Sequence, residues 1–277
     1  MKKLIFYSFL SLFLTPTFAQ VKLPAPSPQQ TIKQAFGMGE LEVVYSRPSM
    51  KNRVVFGDLV PYDKLWRTGA NAATRITFSD AVKMGDSKIE PGTYALYTIP
   101  GASKWQIIIN KDFKNSGVTG YKQENDVARF SVPVATGKDK VESFTIQFDN
   151  VLPESCNLIL SWDLTRIIVP ITTQVKEALG KQIEEALNGD KKPYWAAAQY
   201  YYEYAKDNKM ALEMTTKALE ENPESFWIYL YKAKIEKALG EKENAIATAT
   251  IGLDVALKAK SDDYVKMFKE FIEQIKK

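Results

Sequence analysis

The chain has 277 residues, 45% of them hydrophobic and 25% charged, which suits one large globular domain or two smaller ones. A formal charge of +4 is too mild to argue for a nucleic-acid partner. There is no histidine and one cysteine, Cys156. Together these exclude Ser-His-Asp and Cys-His catalysis, a histidine-ligated metal, an intrachain disulfide and any multi-cysteine zinc or iron–sulfur centre. No cofactor and no metal site is expected.

Residues 1–19 read as a signal peptide. Lys2 and Lys3 form a positive start, an apolar run follows to Leu14, and Thr17-Phe18-Ala19 offers small residues to a signal peptidase before Gln20. The run is too short to span a bilayer, which takes about 20 residues. No later stretch is long and apolar enough either, so the mature protein is expected to be exported, periplasmic or secreted, with no membrane span. Losing Lys2 and Lys3 lowers the formal charge from +4 to +2. Residues 20–30 carry Pro24, Pro26 and Pro28 and read as an extended lead-in.

Residues 31–171 alternate with period two. Leu41 to Tyr45 and Thr74 to Phe78 are short strand-like runs. Val82-Lys83-Met84, Gly85-Asp86 and Ser87-Lys88-Ile89 read as a tight hairpin. Pro91-Gly92 suits a type II turn. Trp105 to Ile109 and Phe144 to Phe148 are further strands, and Asn157 to Trp162 with Arg166 to Ile171 form a last pair. About ten short strands predict an antiparallel β-sandwich or barrel. Cys156 falls in one of these runs and reads as a small core residue, with no histidine to activate it.

From residue 172 onward the period becomes helical. Val175, Leu179, Ile183 and Leu187 fall four apart on one stripe, and Asn188-Gly189-Asp190 ends that helix. Trp195, Ala198, Tyr202, Ala211, Ala218 and Pro223 follow at spacings of 3, 4, 9, 7 and 5. A shift of 34 gives Tyr229, Ala245 and Gly252, with Ala233 beside the shifted small position. The pattern resembles a tetratricopeptide (TPR) repeat, whose small residues let two helices pack closely. Residues 172–277 are therefore expected to form a TPR-like array of helical hairpins, capped by a last helix from Asp262. Carried over residue by residue, the TPR pattern places Tyr200, Tyr204, Trp227, Lys234 and Lys237 on the inner faces. Aromatics with lysines would suit an acidic or carboxylate-ended peptide; with only two repeats, core packing and contact with the β-region is the favoured reading of these residues.

The segment with most chemistry runs from Tyr45-Ser46-Arg47-Pro48-Ser49-Met50-Lys51-Asn52-Arg53, through Phe56-Gly57-Asp58-Leu59-Val60-Pro61-Tyr62, to Leu65-Trp66-Arg67-Thr68-Gly69-Ala70-Asn71. With Pro91-Gly92-Thr93-Tyr94 and Leu160-Ser161-Trp162, these runs resemble the DUF2911 family, exported proteins typical of Bacteroidetes. The resemblance covers Pro28 to Ile171; it implies a domain boundary and a compartment, and supplies no catalytic residue.

Two readings of the segment stand. As a pocket for an anionic or carbohydrate ligand, it would use Tyr45, Arg47, Arg53, Asp58, Tyr62, Trp66, Arg67 and Asn71, with Trp66 or Tyr62 as the stacking platform. As a loop pinned by Arg–Asp pairs and buried aromatics, it would pair Arg67 with Asp58 or Asp63, and this is the favoured reading. Asp58, Asp63, Asp80 and Glu90 could supply paired carboxylates, but no spacing demands it. The function expected is non-catalytic binding of a ligand or protein in the cell envelope, with a protein or peptide partner. The alternative is a histidine-free, carboxylate-based carbohydrate hydrolase.

Overall fold

A computed structural model describes residues 23–277; the expected signal segment, residues 1–19, lies outside them. Strand β1 (Gln29–Phe36) begins inside the proline-rich lead-in and turns back as β2 (Gly39–Ser46). The chain then leaves the sheet for residues 47–73 and returns as β3 (Thr74–Phe78), β4 (Val82–Met84), β5 (Ser87–Ile89), β6 (Gly92–Ile99), β7 (Lys104–Asn110), β8 (Asp126–Asp149) and β9 (Ser155–Thr173). All ladders are antiparallel, in the order β1-β2-β3-β6-β7-β8-β9-β4-β5.

The sheet is open, so the barrel alternative is set aside. β8 pairs with β7 up to Pro133 and with β9 from Val134. The segment after β2 touches β8 again through the Ser49–Ser143 bridge, with Met50 N donating to Glu142 O at 2.9 Å.

Alternation decides which face is buried. In β3, Thr74, Ile76 and Phe78 point inward while Arg75 is exposed, the period of a half-buried strand. The main core holds Val43, Ile76, Leu96, Ile107, Leu158, Leu160 and Ile167, all at most 1% exposed. Full burial of each such side chain contributes about 1.5–3 kcal/mol. Cys156 belongs to this core, and burial pushes its thiol up to about 11, so it stays protonated near neutral pH.

Three local expectations are corrected. Nine strands form among the described residues, against about ten expected. The runs Asn157 to Trp162 and Arg166 to Ile171 are one strand, because Asp163 takes φ 54° and the opposing β8 bulges between Thr136 and Thr145. The stretch that reads as a turn is a bend in a continuous ladder. Gly92 has φ 153°, away from the roughly +80° of a type II turn, and opens β6 directly. The Val82–Ile89 hairpin forms as read, with Gly85 at φ 57° in its turn.

Six α-helices follow among the described residues: α1 (Lys176–Leu187), α2 (Tyr194–Gln199), α3 (Asn208–Glu221), α4 (Phe226–Ala238), α5 (Lys242–Lys258) and α6 (Asp262–Lys276). A π-helical turn, Tyr200–Ala205, extends α2 and ends on Lys206 at φ 58°. Asp207 caps α3 by accepting Met210 N at 3.0 Å. The helices pack through small residues. Ala198, Ala211, Ala233, Ala245 and Ala249 are 0% exposed, and a Cβ at Gly252 would collide with Phe268 and Tyr229. Their apolar clusters contain no strand residue, and the main sheet cluster contains no helical one.

Candidate functional site

Five of the eight residues expected to line a pocket hold the fold instead: Tyr45, Arg47, Arg53, Trp66 and Asn71. Tyr45 is 2% exposed. Its hydroxyl donates to Gln30 Oε1 at 2.8 Å and accepts Ile146 N at 2.9 Å. Burial raises its phenol, against the lowering pull of the Ile146 bond and Arg47. Arg47 Nε donates to Phe144 O at 3.1 Å and its Nη2 to Thr145 Oγ1 at 2.7 Å, fastening the exit of β2 to β8. Arg53 closes its own turn, Nε to Met50 O at 2.8 Å and Nη2 to Ser49 O at 2.7 Å. Both arginines clamp oxygens of the chain rather than carboxylates.

Trp66 is no exposed platform. It lies 6.1 Å from Trp162 with rings 17° apart, and meets Phe144, Trp105 and Phe56 edge-on at 5.0–6.1 Å. Its Nε1 donates to Gly69 O at 3.1 Å. The local signal was correct, an aromatic in a loop, but the loop crosses the mouth of the core and the indole fills it.

Arg67 is held differently. Its neighbours are anchored: Trp66 exchanges two backbone bonds with Thr98 at 2.7 and 3.0 Å, and Thr68 is fully buried. Thr68 takes φ 54°, a strained choice for a β-branched residue. It is kept there by Thr98 Oγ1 at 3.1 Å and by Thr74 Oγ1, which donates to its carbonyl at 2.6 Å. The strained turn sends the Arg67 side chain outward onto the 111–121 loop, where a Cβ on Gly117 would meet Nη1 at 2.7 Å.

Among the described residues, no carboxylate lies within 4.0 Å of that guanidinium, and it makes no hydrogen bond to the chain. Asp58, Asp63 and Tyr62 are exposed, so the expected Arg67–Asp pair does not form. Asp63 itself sits at φ 56°, which turns its chain away towards Gly101. Asn71, at φ 61°, donates to Ser46 Oγ at 3.2 Å and Ser27 O at 3.3 Å, closing the segment against β2.

On the outer face of β3 a cavity of about 320 Å³ is lined by Arg75, Lys114, Asn115, Tyr45 and Ser46 among others, with no acidic residue in its wall; Arg67 does not line it. Asn115 donates to Tyr97 Oη at 3.3 Å, and its carbonyl accepts Ala73 N, which ties the loop to β3. Arg75 and Lys114 form no ion pair within 4.0 Å among the described residues. Neither residue was picked out from the sequence; they are 39 positions apart, and only the fold of the 111–121 loop brings them together.

The four carboxylates considered from sequence are scattered. Asp80 faces the β1–β2 turn at Gly37 and Gly39, and Glu90 pairs with Lys88 at 2.8 Å. Two others converge instead. Glu142 on β8 and Asp163 on β9 line one cavity of about 410 Å³ with Asn52, Arg53 and Lys140. The signal for Asp163 was its place after Leu160-Ser161-Trp162, but the pairing of strands 21 residues apart was not readable. No group of three or more His, Cys, Asp or Glu suited to a metal occurs among the described residues.

The five groove residues of the helices point to different neighbours. Tyr200 lies against Gly180 of α1 and lines a cavity with Glu184 and Tyr201. Lys237 sits 5.6 Å over the ring of Phe271 on α6. Trp227 is 41% exposed, edge-on to Phe226, Lys234 is exposed and Tyr204 half-buried. Tyr200 is thus taken up by α1 and Lys237 by α6.

An open antiparallel sheet carrying this motif segment, followed by a helical region, defines the class of molecule. Residues 27–171 match the family described as a protein of unknown function, DUF2911, and the chain belongs to that family. The match covers more than half the chain. No curated protein and no solved structure matches it.

Proposed function

We propose that the protein is an exported, non-catalytic binding protein of the cell envelope, whose β-region takes a small anionic ligand at Arg67, Arg75 and Lys114. One observation carries this: Arg75 and Lys114 line a cavity whose wall holds no carboxylate, and Arg67 lies against Gly117 of the same 111–121 loop. Arg–carboxylate pairing would have neutralised them had the loop needed staples only. The strain at Thr68 supports the same reading, since such strain persists where surroundings over-determine it and clusters at ligand sites. Guanidinium groups fork onto carboxylate, sulfate or phosphate oxygens, and Asn115 adds a neutral donor.

In this reading the two ladders that β8 joins are the faces of a β-sandwich, and the helices are a TPR-like array that takes a protein or peptide partner. Buried Ala211 and Ala245, one repeat apart, support the array. Export rests on residues 1–19, and mature protein recovered from the envelope or medium should begin at Gln20. An N-terminus at Met1 would refute it.

Titration calorimetry with inorganic phosphate and with glucuronate tests the site. Binding by the parent chain should weaken at least about tenfold in Arg67→Ala and in Arg75→Ala. Equal binding by both variants, or no binding by the parent, rejects the reading.

A further inference from the structure

We infer that the cavity between the 51–54 turn and the β8–β9 bulge is a second binding site, for a hydroxyl-rich neutral ligand such as an oligosaccharide. It uses none of the anion-site residues and stands apart from that reading.

The cavity is built, not incidental. Its turn is locked onto β8 by Met50 N to Glu142 O at 2.9 Å, Ser49 Oγ to Ser143 Oγ at 2.9 Å, and Lys51 N to Glu142 Oε1 at 2.9 Å. Left-handed backbone gathers around it: Lys51 at φ 49° and Asn52 at φ 59° on one wall, Asp163 at φ 54° on the other. Asn and Asp are the residues other than glycine that take this backbone most readily.

Asp163 Oδ1 is buried and has no hydrogen-bond partner. The Lys140 ammonium lies 3.4 Å from it, out of line for a hydrogen bond, and is itself 65% exposed. Lys140 is the ion-pair partner of this covered oxygen, and the 31% exposure of the Asp163 side chain leaves its other oxygen to accept from a ligand.

The wall is balanced in charge, with Arg53 and Lys140 against Glu142 and Asp163. A ligand there is selected by hydrogen bonding rather than by net charge. Arg53 commits Nε and Nη2 to the chain and leaves Nη1 over. Lys140 has donors to spare, the Asn52 amide donates and accepts, and Asp163 with the second Glu142 oxygen accepts. A hydroxyl donates one bond and accepts two, so a sugar ring with several hydroxyls matches such a mixed wall, where a simple anion or cation would meet an equal number of like charges. Trp162 donates its Nε1 to Glu142 O at 3.0 Å, which puts a fluorophore directly behind the site.

The test is binding of cellohexaose, maltohexaose, xylohexaose and chitohexaose to the full-length chain, followed by calorimetry and tryptophan emission. At least one should bind. Asp163→Asn keeps a residue that tolerates left-handed backbone and should weaken binding at least about tenfold. Lys140→Met, at an exposed position, should weaken it severalfold, and the double variant Arg75→Ala/Lys114→Ala should bind as the parent does. Overturning results are no binding by any of the four, unchanged binding in both Asp163→Asn and Lys140→Met, or loss in the Arg75/Lys114 double variant. Release of new reducing ends from a bound oligosaccharide would also overturn the binding role, in favour of hydrolysis by the Glu142–Asp163 pair.

Discussion

Arg47→Ala and Arg67→Ala should behave oppositely, although the two arginines lie in one motif segment. Arg47 makes two charge-assisted bonds, to Phe144 O at 3.1 Å and Thr145 Oγ1 at 2.7 Å, from a half-buried position. Bonds from a charged donor contribute about 1.5–3 kcal/mol, and truncation strands the Phe144 carbonyl under the β2 exit. The two bonds share one guanidinium and are not additive, so a loss of about 2–3 kcal/mol is expected. That lowers the melting temperature by about 4–12 °C, at roughly 2–4 °C per kcal/mol for a chain of this size. Arg67 makes no such bond; its alanine variant loses only the stem packing on Gly117 and should cost no more than about 1 kcal/mol. Calorimetric melting of both variants beside the parent reads the difference directly. Should Arg67→Ala prove the more damaging of the two, the guanidinium has internal partners after all, and the assignment of Arg67 to ligand falls with it.

Three other outcomes follow from the packing. Ala211→Leu and Ala245→Leu each place a branched side chain at a fully buried helix contact and should each cost about 1–3 kcal/mol in urea unfolding; unchanged midpoints would mean the helices do not cross there. Fragments 20–171 and 173–277 should each unfold cooperatively in calorimetry, because the sheet and the helices bury separate apolar clusters. Glu236 is 4% exposed, and burial raises its carboxyl above the usual range, partly offset by Thr248 and Lys232. A raised folded-state value means the protonated form is the better accommodated one, so its contribution is full at acid pH and lost as pH rises through that value. Glu236→Gln should therefore raise the melting temperature near pH 8 and change it little near pH 4; a uniform shift at both would point to shape rather than charge.

What could be read from the sequence was whatever repeats along it. Strand alternation in Thr74 to Phe78 and the helical stripe of Leu179, Ile183 and Leu187 are periodic, and both became local structure. Partnerships across the fold were not readable. Arg67 has Asp58 and Asp63 close by in sequence, yet the left-handed turn at Asp63 turns the chain away from the guanidinium. Trp66 could be read as a platform because nothing local reveals that Trp105, Phe144 and Trp162 converge on it from three strands. Asp163 was hidden twice, as a residue in an apparent turn and as a carboxylate whose neighbour Glu142 lies on the opposing strand.

The division of labour inside the motif segment has a physical logic. A loop of this length between β2 and β3 must lose much conformational entropy, about 1–2 kcal/mol per residue, to stay ordered. Tyr45, Arg47, Arg53, Trp66 and Asn71 offset that loss with bonds and burial inside the molecule. Only an already ordered loop can hold Thr68 at φ 54° and so keep Arg67 aimed outward. Under the proposed anion site the pinned and the ligand-facing readings of this segment are not rivals: the clamps make the loop stiff, and a stiff loop would hold one guanidinium ready without a carboxylate of its own. A guanidinium on a mobile loop would have to give up that freedom on meeting an anion, and the binding would be weaker by that much.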